Sequence, residues 1–218
     1  MEAAERSLPL FPLNVVLFPS MMLPLHVFEE RYKEMVRSCL DADSRFGVVL
    51  IKEGQEVGEP ALPHTIGTVA HIRRVTPLEE GKMNLVVMGE RRLFIDRIVQ
   101  WSPYVIAQVH LPQEQLGEPA PTPEEVQALR TKLERYLKAL LGLQGGWTRE
   151  VPSPTDPVAL GFHIAAVLRG ENDERQRVLE APTARERLTL LAPFLSREHR
   201  RVLAELRKRL AIQGARLN

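Results

Sequence analysis

The sequence predicts an α+β protein in which the strands come first and the helices follow. Up to about residue 112 the chain consists of short apolar runs, rich in β-branched residues and broken by Gly and Pro, which is typical of strands. Beyond about residue 122 the apolar residues recur at three- and four-residue spacing, which is typical of helices. Strands and helices do not alternate along the chain, so the two kinds of element should segregate.

Seven apolar runs in the first part indicate strands, several of them with the period-two alternation of a half-buried sheet. They cover residues 8–18, 21–28, 46–52, 67–75, 83–88, 93–99 and 104–111. Residues 79–82, Glu-Glu-Gly-Lys, predict a hairpin turn. Prolines 9, 12, 19 and 24 punctuate the first two runs. Proline cannot donate a hydrogen bond to a β-ladder, so these two runs should form edge or irregular strands.

One helix interrupts the series of strands. Its apolar positions recur every three or four residues, with charged residues opposite, and are Phe28, Tyr32, Met35, Val36 and Cys39. This stripe should pack on the sheet. Cys39 lies on the stripe, which favours a buried structural thiol over a nucleophile.

The second part of the chain is predicted to be a bundle of four or five helices. A Pro-rich stretch at 114–122 reads as a linker between a β subdomain at 1–113 and a helical subdomain at 123–218. Thr122 and Glu125 form a capping box pattern, and Asp156 before a proline repeats a helix-start signal. Thr183 and Glu186 start the last segment, which Pro193 should break or kink.

Bulk properties restrict the class of protein. The formal net charge is +1, and the one cysteine excludes an internal disulfide and favours a reducing compartment. The first residues are acidic where a signal peptide would be basic, and no apolar run approaches the ~20 residues of a membrane span. We therefore expect a cytoplasmic protein that is neither exported nor embedded in a membrane.

The motifs of several enzyme classes are missing from the sequence. It contains no GxxxxGK[ST] phosphate loop, no GxGxxG, no GxSxG nucleophile elbow and no HExxH zinc motif. We therefore expect no catalytic residue, no cofactor and no metal site. A hydrolase site assembled from residues distant in sequence would leave no such motif, so that alternative stays open as the least favoured one.

Three residues are candidates for binding a polypeptide. Met21 and Met22 lie between two prolines, where flexible apolar side chains can protrude from a loop, although ordinary core packing is the stronger reading. Trp147 lies in a connection flanked by Gly and Pro, where it either contacts a partner or caps the bundle. Residues 197–218 carry seven basic and two acidic groups, which a solvated helix face explains better than a nucleic-acid contact.

The opening segment LPLFPLNVVLFPSMMLPLHVFEERYKEMV closely resembles the start of the amino-terminal, substrate-binding domain of the Lon protease family. The resemblance continues through FGVVLI, GTVAHI and EEGKMNLVVMGERRLFI. It extends into the helical part at DPVALGFHIAAVL and QRVLEAPTARERLTLL, with Gln176, Leu179, Glu180, Arg187 and Leu188, and so covers about residues 8 to 205.

The resemblance implies a PUA-like β-barrel or sheet subdomain followed by a helical bundle. It also implies a non-catalytic protein that binds an unfolded polypeptide or a folded partner, such as a separate protease or chaperone, in protein quality control. No position here matches a catalytic residue of the family's ATPase or Ser/Lys peptidase, so the chain looks like a stand-alone member. PUA-like folds also occur in RNA-modifying proteins, which makes an RNA-binding module the alternative. Against it, residues 1–113 carry 12 basic and 14 acidic groups.

Overall fold

The structure, a computed structural model, describes residues 6–56 and 61–215, with side chains up to residue 209. The chain divides into two compact units. The first comprises Met1–Gln113 and Gly170–Glu180, and the second comprises Glu114–Arg169 and Ala181–Asn218. Within the described ranges, no helix combines the length and the apolar character that crossing a membrane requires.

Seven strands and five α-helices make up the described chain. The strands are β1 (Arg6–Leu13), β2 (Met22–Val27), β3 (Arg45–Glu53), β4 (Leu62–Pro63), β5 (Ile66–Pro77), β6 (Met83–Gln100) and β7 (Ile106–His110). The helices are α1 (Glu30–Leu40), α2 (Pro123–Leu143), α3 (Pro157–Val167), α4 (Asn172–Glu180) and α5 (Ala184–Ala215). The order of strands before most helices confirms the predicted α+β class.

Five strands of the first unit close into a ring. β1 pairs with β7, β7 with β6, β6 with β5, β5 with β3, and β3 pairs back with β1. The first half of β1 pairs antiparallel with β7, and its second half pairs parallel with β3. Each proline-containing half therefore has one strand partner, as expected of an irregular strand. Among the described strands β2 pairs only with β6, which makes it an edge strand.

The predicted strands at 83–88 and 93–99 are a single strand, β6, and the predicted break is wrong. Gly89 pairs with Ala70 of β5 and Arg91 pairs with Val69, so Glu90 is an extra residue that bulges without ending the ladder. The hairpin turn before this strand is confirmed: a single 3-10 turn at Glu79–Gly81 joins β5 to β6.

Apolar side chains of the strands alternate between two cores. One core fills the ring and includes Leu10, Val49 and Leu93. The other lies on the outer face under α1 and includes Phe11 and Val48, the neighbours of Leu10 and Val49. Successive strand residues point to opposite faces, so near-continuous apolar runs such as FGVVLI supply both cores at once.

Helix α1 packs on the outer face of the ring through the predicted stripe, with one correction. Tyr32, Met35, Val36 and Cys39 are all buried. Phe28 is not part of the stripe, because the chain is still extended at Glu29 and the helix begins at Glu30. Its side chain is 46% exposed.

Helix α4 belongs to the first unit, which differs from the predicted division at residue 123. Its polar side chains reach backbone carbonyls of the strand segments: Arg175 donates to the Val16 carbonyl at 3.2 Å and Gln176 to the Ile66 carbonyl at 2.9 Å. In return Arg92 of β6 donates to the Leu179 carbonyl at 3.0 Å. Residues 123–218 contain four described helices, as predicted, and three of them, α2, α3 and α5, belong to the second unit.

The starts of the helices in the second unit follow the predicted caps. Thr122 and Glu125 form both hydrogen bonds of a capping box at α2, and Asp156 accepts a hydrogen bond from the Ala159 amide at α3. Pro193 does not break α5, because the helix continues through it to Ala215.

Candidate functional site

The edge strand β2 borders an apolar cavity of about 320 Å³ in the first unit. Its floor is aromatic: the rings of Phe11 and Tyr32 stack with their centroids 4.0 Å apart. Its other lining residues come from the end of β1, from β2 and from the segments that follow β1, β2 and β3, and they are Leu13, Val15, Leu23, Pro24, Leu25, His26, Val27, Phe28, Glu29 and Glu56. A cavity of this size and character is typical of a ligand site.

A turn fixed to β6 sets the position of β2. Ser20 adopts a left-handed conformation, with φ of 66°. Its amide donates to the Gly89 carbonyl at 2.8 Å, and the Gly89 amide donates to the Met21 carbonyl at 2.9 Å. A Cβ atom at Gly89 would lie 2.2 Å from the Phe18 carbonyl oxygen, so only glycine allows this close approach.

These hydrogen bonds also show which backbone groups of β2 are free of the ladder. The Met21 carbonyl faces β6, and backbone direction alternates along an antiparallel strand. The backbone groups of Met22, Pro24 and His26 therefore face the edge that no described strand covers. Pro24 has no N–H, which interrupts this edge and disfavours addition of a continuous strand. We therefore expect a ligand to bind through side-chain contacts in the cavity and not by adding a strand to β2.

Charged groups lie at the rim of the cavity. Glu29 is paired with Arg31 at 3.0 Å, and the Arg31 guanidinium stands 4.5 Å above the Tyr32 ring. Glu56, the other lining carboxylate, accepts a hydrogen bond of 3.5 Å from Asn14. Burial raises the pKa of the Tyr32 hydroxyl, so this group stays neutral at ordinary pH. The site is thus a cleft with an apolar, aromatic lining, and its rim carries the Glu29–Arg31 ion pair and the Glu56 carboxylate.

The predicted binding residues do not line this cavity. Met21 is half-buried, packs against the core under α1 and places its sulfur 3.7 Å from a guanidinium nitrogen of Arg175. Met22 is 49% exposed at the start of β2, one residue before the first residue of that strand that lines the cavity. Trp147 is 84% exposed in the connection between α2 and α3 of the second unit.

Sequence reasoning missed the residues that do line the cavity. The sequence places Phe28 and Tyr32 on a predicted helix stripe and Phe11 in a predicted strand, and it indicates no binding role for any of the three. The alternation of exposed and half-buried residues in MLPLHVF is the signal that could have found the site, because it marks an edge strand with one face over a cleft. No sequence pattern shows that the buried Phe11 and Tyr32 rings border that cleft.

No cluster of metal ligands occurs among the described residues: nowhere do three or more His, Cys, Asp or Glu side chains come together. Cys39 lies in the core under α1, and burial raises the pKa of its thiol to about 11. A thiol in that state is a poor nucleophile at neutral pH.

The pattern of the ATP-dependent protease La (LON) substrate-binding domain matches residues 7–197. The chain belongs to the Lon substrate-binding domain family. Lon protease 2 of Myxococcus xanthus is 30% identical over 203 residues, which are 90% of this chain and 24% of that protein. Lon protease of Roseiflexus castenholzii is 31% identical over 196 residues, covering 88% and 24%. The chain thus spans about a quarter of the length of these Lon proteases.

Solved structures of Lon amino-terminal domains share the fold. The crystal structure of a Lon N-terminal domain protein from Xanthomonas campestris aligns with a TM-score of 0.66 at 30% identity, covering 85% of this chain and 96% of that one. The N-terminal domain of Mycobacterium avium complex Lon protease aligns with a TM-score of 0.62 at 21% identity, covering 88% and 98%. The Lon substrate-binding fold therefore accounts for both units.

Proposed function

We propose that this chain is a non-catalytic recognition protein that binds an apolar segment of an unfolded or partner polypeptide in the cavity beside β2. The observation that carries the proposal is the aliphatic and aromatic lining of that cavity, in which Phe28 is exposed while the rings of Phe11 and Tyr32 are buried, next to a strand edge that no described strand covers. Folded proteins bury such side chains, whereas unfolded ones expose them. A cleft of this kind therefore suits protein quality control, and the substrate-binding description of the family agrees with it.

The charged groups at the rim of the cavity indicate which residues should flank the bound segment. The Glu56 carboxylate lies beside the apolar lining, whereas that of Glu29 is paired with Arg31, so a segment of apolar residues flanked by Lys or Arg should bind better than one flanked by Asp or Glu. Met22 extends the apolar surface along β2 and is proposed as an outer contact. Trp147 is proposed as a separate polypeptide contact on the second unit.

Titration of a fluorescein-labelled peptide of leucines flanked by lysines, followed by anisotropy, tests the proposal. Phe28→Ala removes a half-exposed ring from the cavity and should weaken binding by roughly fivefold to tenfold. Leu78→Ala is the matched control, since Leu78 is similarly exposed in the same unit but does not line the cavity. Equal affinity of wild type and Phe28→Ala would overturn the assignment of the site.

A further inference from the structure

The second unit carries a seam between two helices that differs in character from the cavity beside β2. Helices α2 and α5 run parallel, because Arg185 pairs with Glu125 at 2.7 Å near their starts and Arg209 donates to the Leu143 carbonyl at 2.8 Å near the end of α2. Two cavities follow each other along these helices and share Lys132 as a lining residue. We call this pair of cavities the α2/α5 seam.

The first half of the seam is mainly apolar. Its cavity has a volume of about 340 Å³. The Glu125–Arg185 ion pair lies at this end, and its two charges neutralise each other. The remaining lining side chains are mostly aliphatic, and they are Pro121, Ala128, Leu129, Lys132, Leu188, Thr189 and Ala192.

The second half of the seam is basic. Its cavity has a volume of about 420 Å³ and is lined by Lys132, Arg135, Leu195, Ser196, His199 and Arg200, without any carboxylate. In the part of the chain that the structure describes, no acidic side chain forms an ion pair with Lys132, Arg135 or Arg200. The nearby Glu134 is paired with Lys138 at 2.6 Å.

Positive charge predominates in this half of the seam. Burial, together with the neighbouring Arg135 guanidinium, lowers the pKa of His199. Like charges that converge on one cavity repel each other, and an anionic ligand relieves that repulsion. The arginine side chains also have the forked geometry that binds carboxylates with two hydrogen bonds.

We infer that the α2/α5 seam binds an acidic polypeptide segment, with apolar residues in the first half and carboxylates on Lys132, Arg135 and Arg200 in the second. This inference rests on the proposed role in polypeptide recognition. The apolar half favours a peptide over a nucleic acid, and so does the lining of both halves, which contains no Phe, Tyr or Trp side chain on which bases could stack. The first unit would then select basic apolar segments and the second unit acidic ones.

Anisotropy titrations of the whole chain test the inference with a labelled peptide of leucines and alanines followed by four glutamates. The peptide should bind, with an affinity that falls as salt is raised, since exposed charges are screened within ~10 Å. The matched peptide with glutamine in place of glutamate should bind at least roughly fivefold more weakly. Equal binding of the two peptides would overturn the inference.

Variants of the chain locate the site. The double variant Arg135→Ala with Arg200→Ala should weaken binding of the glutamate peptide by roughly tenfold. Arg74→Ala with Arg177→Ala, which removes two exposed arginines of the first unit, is the control for net charge and should leave the affinity unchanged. Circular dichroism of each variant checks that the fold is intact. Unchanged affinity in the double variant contradicts the inference.

Two further titrations show which of the two proposed sites is wrong if an expected result is not obtained. The lysine-flanked peptide should lose affinity with Phe28→Ala and keep it with the double arginine variant. If that peptide binds and the glutamate peptide does not, the seam is not a peptide site and the proposed function stands. If neither peptide binds, both proposals fall. A single-stranded oligothymidylate is the last probe. If it binds more tightly than the glutamate peptide and loses its affinity in the double variant, the ligand of the seam is nucleic acid and not a peptide.

Discussion

At the scale of single residues, ionisation of Cys39 should lower the free energy of unfolding at alkaline pH. Its pKa is about 11 in the folded chain against an ordinary value of 9.0, because burial disfavours the thiolate. Between these two values the unfolded chain loses the thiol proton while the folded chain keeps it. This part of the free energy of unfolding is therefore intact below about pH 9 and should fall by at most about 2–3 kcal/mol as the pH rises to about 11.

Urea unfolding near pH 8 and near pH 11 measures this loss in wild type and in Cys39→Ala. Other groups that ionise at high pH, such as Tyr32, act in both proteins, so the difference between the two isolates the thiol. The variant should lose less stability than wild type over this range. The same loss in both proteins would show that Cys39 ionises freely in the folded state.

A second residue-scale prediction concerns the approach of two backbone segments at Gly89. In Gly89→Ala the new Cβ would lie 2.2 Å from the Phe18 carbonyl oxygen, so the turn that places β2 must move. We expect a loss of about 2–4 kcal/mol in the free energy of unfolding. Gly146→Ala is the control, since its Cβ would meet nothing closer than 3.5 Å. Equal melting temperatures of both variants in calorimetry would contradict the account of the turn.

The same turn shows what residue-level sequence reasoning could and could not supply. The Met21–Met22 pair drew attention because two prolines flank it, and the edge strand does begin there. Strand alternation then turns Met21 toward the core and Met22 outward, so the pair does not act as one protruding loop. The true cavity residues were hidden because Phe11 and Tyr32 have the spacing of core residues and serve as core and floor together.

At the scale of elements, Pro193 lies inside α5 at an exposed position. It removes one backbone hydrogen bond and its ring crowds the preceding turn. Pro193→Ala should therefore raise the free energy of unfolding by about 1–2 kcal/mol, less than the full cost of proline because alanine also frees the unfolded chain. Thermal unfolding followed by circular dichroism at the helical signal measures the gain.

Pro157 is the matched control for this prediction, because it occupies the first turn of α3, where a missing N–H leaves no helical bond unmade. Pro157→Ala should bring no gain. If Pro193→Ala proved destabilising, the proline would have to stabilise a bend that the helix needs for packing. The sequence predicted a break or kink at Pro193 from local preference alone, whereas packing of the long helix in the second unit keeps it continuous.

Helix α4 shows the limit of prediction at this scale. The unit to which it belongs could not be predicted from local sequence. Its attachment depends on hydrogen bonds from Arg175 and Gln176 to carbonyls more than a hundred residues earlier in the chain. Helical periodicity carries no information about such distant partners. The boundaries at 113 and 123 thus remain a prediction for the connection between β7 and α2. Helix α4, which lies later in the chain, belongs to the first unit.

At the scale of the whole molecule, the family and the α+β class could be predicted because they depend on long stretches of sequence and on the order of strands and helices. The closure of the ring could not, since it depends on β1 changing partners from β7 to β3 midway along its length. The proposed division of labour, a basic-selective cleft on one unit and an acidic-selective seam on the other, depends on charges that nearly cancel in the net charge of +1.

The central claim is that the cavity beside β2 holds an apolar polypeptide segment. Methyl NMR of the chain with labelled leucine, valine and methionine residues tests it most directly, with the lysine-flanked leucine peptide as ligand. The account predicts that the methyl signals of Leu23 and Leu25 shift on titration, while those of Val202 in α5 stay in place. A saturable shift elsewhere in the chain with Leu23 and Leu25 unchanged would contradict it.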